Sequence, residues 1–379
     1  GQIISGHMET QNFDHSMTQI APKLVEASIA LHDKISSTFL PSSTRYVYNW
    51  NVREISSVFE GLVKSRPDTT RTPDSLVRLW AHESNRVYGD RLLESDISKF
   101  SSVIQFVSKK YFDTAENFSE DIVANIKFSS CHTQPDEKTG ENPYEEVKDE
   151  KMYTNLIREY EAERSESNPS MRLVLFKQAV DHVSRITRII STPGGSAMLV
   201  GVGGSGKQSL TRLAACILGY RVVQRSTESI SDFKQLMQYC ITLAGPKNTP
   251  FVFILNDTQV FDDRLFVYIN SILSCGWASG IFDQAELENS IFAPMKRRAK
   301  LAGIPDTPSE NLKFLFDHIR RNMHIVLCMS PVGDTLRTRV RRFPALMNCV
   351  AIDRFHSWSQ EALVSVARAR LENCYSSDE

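Results

Sequence analysis

The sequence feature that most constrains the fold is a glycine-rich loop between an apolar run and a helical pattern. Residues 201–207 read Gly-Val-Gly-Gly-Ser-Gly-Lys, which is the pattern G-x-x-x-x-G-K. An apolar strand is predicted just before the loop, from Ala197 to Val202, and a helix just after it, from Lys207 to Leu218. In this order, the backbone N–H groups of the loop and of the first helical turn converge on one point. The segment therefore predicts the phosphate loop (P-loop) of a nucleotide-binding α/β domain.

The residues of this loop have distinct predicted roles. The glycines let the backbone approach phosphate oxygens, and Lys207 brings an ammonium group to the outer phosphates. Gln208 stands where P-loops normally have the Ser or Thr that binds Mg²⁺, and Ser209 follows one residue later. A glycine-rich turn without a ligand is the alternative. The predicted nucleotide-binding residues are Gly201, Gly203, Gly204, Ser205, Gly206, Lys207, Gln208 and Ser209.

A second apolar run, from Phe251 to Leu255, is followed by Asn256 and Asp257. P-loop enzymes hold the Mg²⁺ shell with a carboxylate at the end of such a strand, so Asp257 is the predicted metal ligand and a predicted catalytic residue. ATPases usually carry Glu at the next position, but here Thr258 follows, and its hydroxyl is not a base near neutral pH. Weak or no hydrolysis is expected. A strand that ends in a solvated Asp is the alternative interpretation.

Other polar residues follow predicted strands. The run from His324 to Met329 ends at Ser330, which at the carboxyl edge of a sheet can contact a γ-phosphate or an attacking water. A plain strand end is equally consistent with this pattern. Asp262 and Asp263 lie shortly after Asp257, and they are predicted to cap the next helix rather than to replace the missing Glu.

Four arginines crowd a short predicted helix before Phe343: Arg337, Arg339, Arg341 and Arg342. Asp334 is their only acidic neighbour in the sequence, so the cluster is expected to require external anions. Guanidinium groups stabilise charge on a transferred phosphoryl group, and Arg341 or Arg342 is therefore a candidate arginine finger for nucleotide bound by a neighbouring module. A solvated basic helix face is the other interpretation.

The pattern changes along the chain. A length of 379 residues predicts about two or three domains. The first hundred residues are mostly helical in pattern, with a strand expected from Ser42 to Trp50 and a helix from Asp74 to Phe100, capped by Asp74. Charged residues with Pro and Gly between Gln134 and Lys151 favour a solvated connector. From Met171 onward, helices alternate with strands, which predicts a parallel sheet covered on both faces.

Composition excludes several classes of protein. The 44 Lys and Arg residues nearly balance the 45 Asp and Glu residues, which argues against the positive field of a nucleic-acid-binding protein. Apolar residues make up 41% of the chain, but no run approaches the length of a membrane span. The seven cysteines include no C-x-x-C pair, so reduced thiols and no zinc site are expected. The chain lacks an initial Met, and we expect an excerpt from a longer protein.

Taken together, the motifs resemble the AAA+ modules of dynein heavy chains, in particular the fourth module of axonemal, outer-arm-like chains. The first hundred residues resemble the helical lid that closes the third module. The similar segments are 201–210, 256–259, 266–270, 326–333, 342–346 and 352–363 for the fourth module, and 48–62, 76–83 and 86–92 for the lid. Two positions depart from the family pattern: Arg354 stands where relatives usually have Trp, and Ser359 stands where they tend to have Pro.

The resemblance implies an α/β fold, a P-loop AAA+ parallel sheet with flanking helices, preceded by an all-α lid subdomain. It implies that Arg53 is the second-sensor arginine of the third module, and that Arg341 or Arg342 reaches the nucleotide of that module. The implied parts are the lid of the third module (1–105), a connector with an acidic, flexible stretch (106–168), the large domain of the fourth module (169–356) and the start of its lid (357–379).

The resemblance also implies a function, as part of the motor ring of an axonemal dynein heavy chain that supports microtubule-based ciliary motility. Its regulatory site would bind ATP or ADP, with or without Mg²⁺, and would hydrolyse ATP weakly or not at all. The implied partners are neighbouring AAA+ modules, dynein intermediate and light chains, and microtubules through parts outside this chain, with no membrane and no nucleic acid. The implied location is the cytoplasm and the cytoskeleton of the cilium or flagellar axoneme.

The residues leave two other functions open. One is a free-standing P-loop NTPase or small-molecule kinase, against which stand Gln208 and the lack of a guanine-reading N-K-x-D string. The other is a structural ring segment that binds no nucleotide.

Overall fold

The computed structural model describes residues 2–112, 125–136, 140, 142–167 and 173–375. The chain divides into two compact units, Gly1–Leu156 and Ile157–Glu379. Among the described residues, no helix combines the length and the apolar character that a membrane span requires. The predicted start of the second helical run, at Met171, lies outside the described residues.

The first unit is mostly helical, and its mainly aliphatic core also contains aromatic rings. Its largest fully buried side chains include Phe39, Tyr48 and Trp80. The Trp80 indole N–H donates to the Ser28 hydroxyl at 2.9 Å, which satisfies the polar atom inside the core. The elements up to the end of this unit are α1 (Gln2–Thr10), α2 (His15–Thr18), α3 (Ala21–Thr38), α4 (Val52–Leu62), α5 (Pro73–Ser84) with a π-helical turn (Asn85–Gly89), α6 (Glu94–Tyr111), β1 (Phe128–Ser129), β2 (Glu145–Glu146) and α7 (Glu150–Ser167), which runs on into the second unit.

The strand expected at residues 42–50 is wrong, because this segment is an irregular loop with one turn. Its aromatic side chains pack on the surrounding helices instead of facing a sheet. The Tyr48 hydroxyl donates to Asp96 at 2.7 Å, and the Trp50 indole N–H donates to the carbonyl of Phe39 at 2.7 Å. Aromatic residues suit a strand locally, but here burial against helices decides the conformation.

The single helix expected from Asp74 to Phe100 is also wrong. Thr72, and not Asp74, is the N-cap of α5, and its hydroxyl accepts the N–H of Ser75 at 3.2 Å. The helix widens into the π-helical turn after Ser84, and α6 begins separately at Glu94. Apolar spacing continues across these breaks, so periodicity alone did not reveal them.

Part of the acidic stretch packs against the helical unit, which differs from a wholly solvated connector. Strands β1 and β2 pair antiparallel. The Glu146 carboxylate accepts two hydrogen bonds from Nε of Arg78, at 2.9 and 3.0 Å, and the Tyr144 side chain is buried. Ion pairing and a short strand pair stabilise this stretch, although its composition is typical of loops.

The second unit contains a five-stranded parallel sheet with helices around it, so the predicted α/β fold is confirmed. Its strand order is β4-β5-β6-β3-β7, and every neighbouring pair runs parallel. Its elements are α8 (Lys177–Ile190), β3 (Ala197–Val200), α9 (Lys207–Ile217), β4 (Arg221–Val223), α10 (Ile230–Ala244), β5 (Phe251–Asn256), a 3₁₀ turn (Asp257–Gln259), α11 (Leu265–Cys275), α12 (Gln284–Glu286), a π-helical turn (Leu287–Phe292), α13 (Ala293–Leu301), α14 (Pro308–Asn322), β6 (Met323–Met329), α15 (Thr335–Arg342), α16 (Ala345–Asn348), β7 (Ala351–Arg354) and α17 (Gln360–Tyr375).

The central strands β3 and β6 are buried along their whole length, which explains their continuous apolar sequences. Because the strands are parallel, the carboxyl ends of β3, β5 and β6 meet at one edge of the sheet. Open α/β sheets bind ligands at this edge. The P-loop, Asp257 and Ser330 follow these three strands, so the fold brings them to the same region.

Candidate functional site

The loop between β3 and α9 has the backbone geometry of a phosphate-binding loop. The Gly201 N–H donates to the carbonyl of Met329 at 3.1 Å, which fastens the start of the loop to β6. A Cβ atom on Gly201 would lie 2.6 Å from Cβ of Phe355. Gly204 and Gly206 have φ angles of +79° and +86°, which favour glycine. Gly206 is the N-cap of α9, so the first N–H groups of that helix point into the bend.

The Lys207 ammonium lies inside this bend. It donates to two loop carbonyl oxygens at 2.6 and 2.7 Å and to the Ser205 hydroxyl at 3.1 Å. Burial lowers the pKa of Lys207, while the nearby Asp257 carboxylate raises it. Burial also raises the pKa of the adjacent Cys328 to about 12, so this thiol is neutral. The three atoms to which Lys207 donates are neutral, and a phosphate oxygen would replace them because hydrogen bonds between charged groups are stronger.

Three glutamines connect the start of α9 with the ends of two strands. The Gln224 side-chain amide donates to Gln208 at 3.1 Å and to Gln259 at 3.4 Å. The side-chain oxygen of Gln259 also accepts the backbone N–H of Asn256 at 3.1 Å. Ser209 is the next residue of α9 and points about 100° further round the helix axis than Gln208. The Gln224 side-chain oxygen accepts from the Arg212 guanidinium at 2.5 Å. The position that usually binds Mg²⁺ is thus occupied by an amide, within a network that a cation also holds.

Asp257 follows β5 and has two hydrogen-bond partners. One carboxylate oxygen accepts a hydrogen bond from Arg339, and the other accepts the backbone N–H of Ser330 at 3.3 Å. Nε of Arg339 donates to Asp263 at 2.8 Å, and the guanidinium lies 5.1 Å from the ring centroid of Phe266. Only 9% of the Arg339 side chain is exposed. A buried arginine therefore joins α15 to the carboxylates that follow β5.

Two expectations about these charges are wrong. The arginines of α15 were expected to lack acidic neighbours other than Asp334, but Arg339 binds two carboxylates. The Asp263 side chain binds Arg339 and does not cap α11, whereas the Asp262 carboxylate accepts the N–H of Arg264 at 2.7 Å just before that helix. The acidic and basic residues are distant in the chain, and only the folded sheet brings them together.

The other predicted site residues occupy different surroundings. The Ser330 hydroxyl accepts a backbone N–H two residues further on, at 3.3 Å. Arg341 and Arg342 are exposed at the end of α15, with Nη1 of Arg342 3.6 Å from the Asp263 carboxylate. Arg53 lies in the first turn of α4 in the first unit, and it is exposed.

The residues present fit a phosphate group but, as they stand, do not fit Mg²⁺. Added Cβ atoms on Gly203 and Gly204 would meet nothing within 4 Å, so there is room for a ligand along the loop. By contrast, both oxygens of Asp257 already accept hydrogen bonds, and one is held by a cation. Within the described part of the chain, no group of three or more His, Cys, Asp and Glu side chains could hold a metal ion.

A cavity of about 190 Å³ lies beside the P-loop. Its walls include Ser205 of the loop and two pairs of aromatic rings. His182 stacks on Phe355 with ring centroids 3.8 Å apart, and Phe176 meets Trp358 edge to face at 5.5 Å. Such walls suit a flat heteroaromatic ring. Sequence analysis missed this cavity because its walls come from segments that are far apart in the chain.

A parallel sheet of this order, with a P-loop after β3 and a carboxylate after β5, defines a P-loop AAA+ module. The family model described as "P-loop containing dynein motor region D4" matches residues 171–379, and one described as "AAA+ lid domain" matches residues 24–122. The chain therefore belongs to the dynein motor region D4 family.

Individual relatives agree with this assignment. The chain is 41% identical over 380 residues to "Dynein beta chain, flagellar outer arm" of Chlamydomonas reinhardtii. It is 40% identical over 374 residues to "Dynein axonemal heavy chain 17" of Homo sapiens and 39% identical over 374 residues to "Dynein beta chain, ciliary" of Tripneustes gratilla. Each alignment covers 98% of this chain and 8% of the relative. The resemblance to axonemal dynein heavy chains is confirmed.

Proposed function

We propose that this chain is part of the AAA+ motor ring of an axonemal dynein heavy chain, and that its P-loop is a regulatory site for ATP or ADP with weak or no hydrolysis. The observation that carries the proposal is the position of the Lys207 ammonium, inside the glycine bend at the carboxyl edge of β3. The family match over residues 171–379 supports the same function.

The proposed binding mode uses the bend for the phosphates and the adjacent cavity for the base. The N–H groups at the start of α9 donate to phosphate oxygens, and the helix dipole favours their negative charge. The Lys207 ammonium turns from the loop carbonyls towards the phosphates. The aromatic walls formed by His182, Phe355 and Trp358 hold the base. Hydrolysis is weak because Thr258 stands where a general base is needed, with the Ser330 hydroxyl left to contact the outer phosphate.

The parts of the chain have proposed places in the ring. Residues 1–105 form the lid of the third module, 106–168 the connector, 169–356 the large domain of the fourth module and 357–379 the start of its lid. The match of residues 24–122 to a lid family supports the first of these. Arg53 then acts as the second-sensor arginine of the third module, and Arg341 or Arg342 as the finger towards that module's nucleotide. The exposure of these side chains supports both roles.

Bound nucleotide would act by coupling more than by turnover, because a ligand that favours one arrangement of the module shifts the equilibrium of its neighbours. The proposed partners are neighbouring AAA+ modules of the same heavy chain, dynein intermediate and light chains, and microtubules through parts outside this chain. The names of the flagellar and ciliary relatives support a location in the axoneme, within the cytoskeleton and cytoplasm of the cilium or flagellum.

The test is a titration of the 379-residue chain with ADP or ATP that carries a fluorescent methylanthraniloyl group. Wild-type protein is expected to bind, and Lys207→Ala is expected to lose affinity by about tenfold or more because the phosphate loses a charge-assisted hydrogen bond. The matched control is Lys247→Ala, which removes an exposed lysine of the same unit and leaves affinity unchanged.

The alternatives give different results. A structural segment that binds no nucleotide would give no titration signal with wild-type protein. In a separate turnover assay, a free-standing NTPase would release phosphate from ATP rapidly, and a small-molecule kinase would release ADP once its acceptor is added. Unchanged affinity in Lys207→Ala would contradict binding at the P-loop.

A further inference from the structure

The buried Arg339 donates a hydrogen bond to Asp257, the carboxylate from which a P-loop site would hold a metal ion. Its guanidinium binds Asp257 and Asp263 together, and Phe266 covers its face. Planar guanidinium groups suit such carboxylate pairs, and Arg stays protonated when buried. A divalent cation at Asp257 would have to displace this guanidinium or lie against it, and two cations in a half-buried site repel each other.

The second usual Mg²⁺ contact, a Ser or Thr hydroxyl, is also replaced, by side-chain amides. Gln208 stands at the position of the metal-binding hydroxyl, and its side-chain oxygen accepts a hydrogen bond from Gln224 at 3.1 Å. Gln224 also donates to Gln259 in the turn that begins at Asp257. The loop side and the strand side of the metal position are thus joined by amides, and the Gln224 oxygen is itself held by the Arg212 guanidinium at 2.5 Å.

We infer that Arg339 takes the place of a protein-held Mg²⁺ at Asp257, so that this P-loop grips nucleotide phosphates without a divalent cation bound by the protein. The inference rests on the proposed nucleotide site and specifies how its charge is balanced. Lys207 and the start of α9 face the phosphates, while Arg339 neutralises the carboxylate behind them. The site is then a phosphate receptor that does not depend on Mg²⁺.

The first experiment compares the affinity of the 379-residue chain for methylanthraniloyl-ADP in excess Mg²⁺ and in excess EDTA. For wild-type protein, the two dissociation constants are expected to agree within about twofold. Asp257→Asn is expected to leave this ratio unchanged, because the carboxylate binds Arg339 rather than a metal ion. A wild-type affinity that falls about tenfold in EDTA, with Asp257→Asn abolishing the difference, would overturn the inference.

The second experiment creates the missing metal site. Arg339→Met keeps an apolar stem against Phe266 but leaves Asp257 and Asp263 without their cation. In this variant, Mg²⁺ is expected to tighten nucleotide binding by about tenfold, whereas Arg339→Lys, which keeps a positive charge, stays close to wild type. A folded Arg339→Met variant with no response to Mg²⁺ would contradict the inference. The matched control is Arg337→Met on the same helix, whose partner Asp334 lies 2.9 Å away at the surface.

Binding of Mn²⁺, followed by electron paramagnetic resonance without nucleotide, separates this inference from the proposed function. Wild-type protein is expected to leave the signal of free Mn²⁺ unchanged. Arg339→Met is expected to bind Mn²⁺ at one site and so reduce this signal. Adding Asp257→Asn to that variant is expected to remove the site. If wild-type protein binds Mn²⁺ through Asp257, the inference fails even where nucleotide binds. If no nucleotide binds in either buffer, the proposed function fails, and the Mn²⁺ result still decides the role of Arg339. Should Arg339→Met not fold, the wild-type and Asp257→Asn measurements decide it.

Discussion

Nδ1 of His182 lies 2.7 Å from the Asp353 carboxylate, although the two residues are 171 positions apart in the chain. The other oxygen of Asp353 accepts from Arg185 at 3.1 Å. His182 and Arg185 lie on α8 and Asp353 lies on β7, so one buried carboxylate fastens the helix to the edge of the sheet. The same histidine ring stacks on Phe355 in the cavity wall. The fold and the proposed base site therefore share this contact.

Asp353→Asn is expected to destabilise the second unit. Burial alone would raise the pKa of Asp353, but the charges and hydrogen bonds of His182 and Arg185 hold it below its usual value. Folding thus favours the charged form of Asp353, a residue that is only 1% exposed. Removing one partner of a buried ion pair costs about 3–5 kcal/mol, and the remaining amide hydrogen bond recovers part of this, so we expect a loss of about 2–4 kcal/mol. Urea denaturation at neutral pH measures it.

The pH dependence of this loss has a defined sign. Because the pKa of Asp353 is lower in the folded state, its stabilising contribution is complete above the unfolded-state pKa of about 4 and decreases as the pH falls through the folded-state pKa. The difference between wild type and Asp353→Asn should therefore shrink as the pH falls below about 4. Asp334→Asn, which changes a carboxylate that is 76% exposed, should cost less than about 0.5 kcal/mol. Equal losses in the two variants would contradict the role of the buried contact.

Gly201→Ala tests the close approach at the start of the P-loop. The new Cβ would lie 2.6 Å from Cβ of Phe355. Both backbones are held by strands of the sheet, because the Gly201 N–H donates to Met329 and the Phe355 N–H donates to Val200. We expect a loss of about 1–3 kcal/mol in the free energy of unfolding, as in other overpacked sites. Gly203→Ala is the matched control, because a Cβ there meets nothing within 4 Å, and its stability should change by less than about 0.5 kcal/mol. Thermal denaturation compares the two, and similar melting temperatures would show that the contact is not rigid.

The local parts of the site were predictable from the sequence, and the long-range parts were not. The strand, loop and helix around Lys207 follow one another directly in the chain, so their order in the sequence is enough to predict a P-loop. Asp257 was placed correctly at the end of β5 for the same reason. Its partner Arg339 is 82 positions away, and no periodic pattern connects the two. The exposure of a side chain likewise depends on which residues surround it in the folded protein. For this reason, the sequence alone grouped Arg339 with the exposed arginines of α15.

Trp358→Ala separates base binding from phosphate binding. Trp358 forms part of the cavity wall but does not belong to the P-loop. Loss of contact between a base and an aromatic ring costs about 1–3 kcal/mol, so affinity for methylanthraniloyl-ADP should fall by about tenfold. Affinity for inorganic tripolyphosphate, measured by competition, should stay within about twofold of wild type. A parallel loss for both ligands would place the base elsewhere and assign Trp358 a purely structural role.

Thr258→Glu tests whether the missing base alone explains weak hydrolysis. A general base contributes about 10²–10⁴-fold to such reactions, but only when the outer phosphate and its charge are held in position. If Arg339 replaces the metal ion at Asp257, the single substitution should leave phosphate release within about twofold of wild type. Combining it with Arg339→Met and Gln208→Ser, which free Asp257 and restore the hydroxyl, should raise phosphate release in Mg²⁺ by about tenfold or more. The same triple variant with Gln in place of Glu at position 258 controls for side-chain size. A large gain from Thr258→Glu alone would mean that Asp257 already holds Mg²⁺ despite its contact with Arg339.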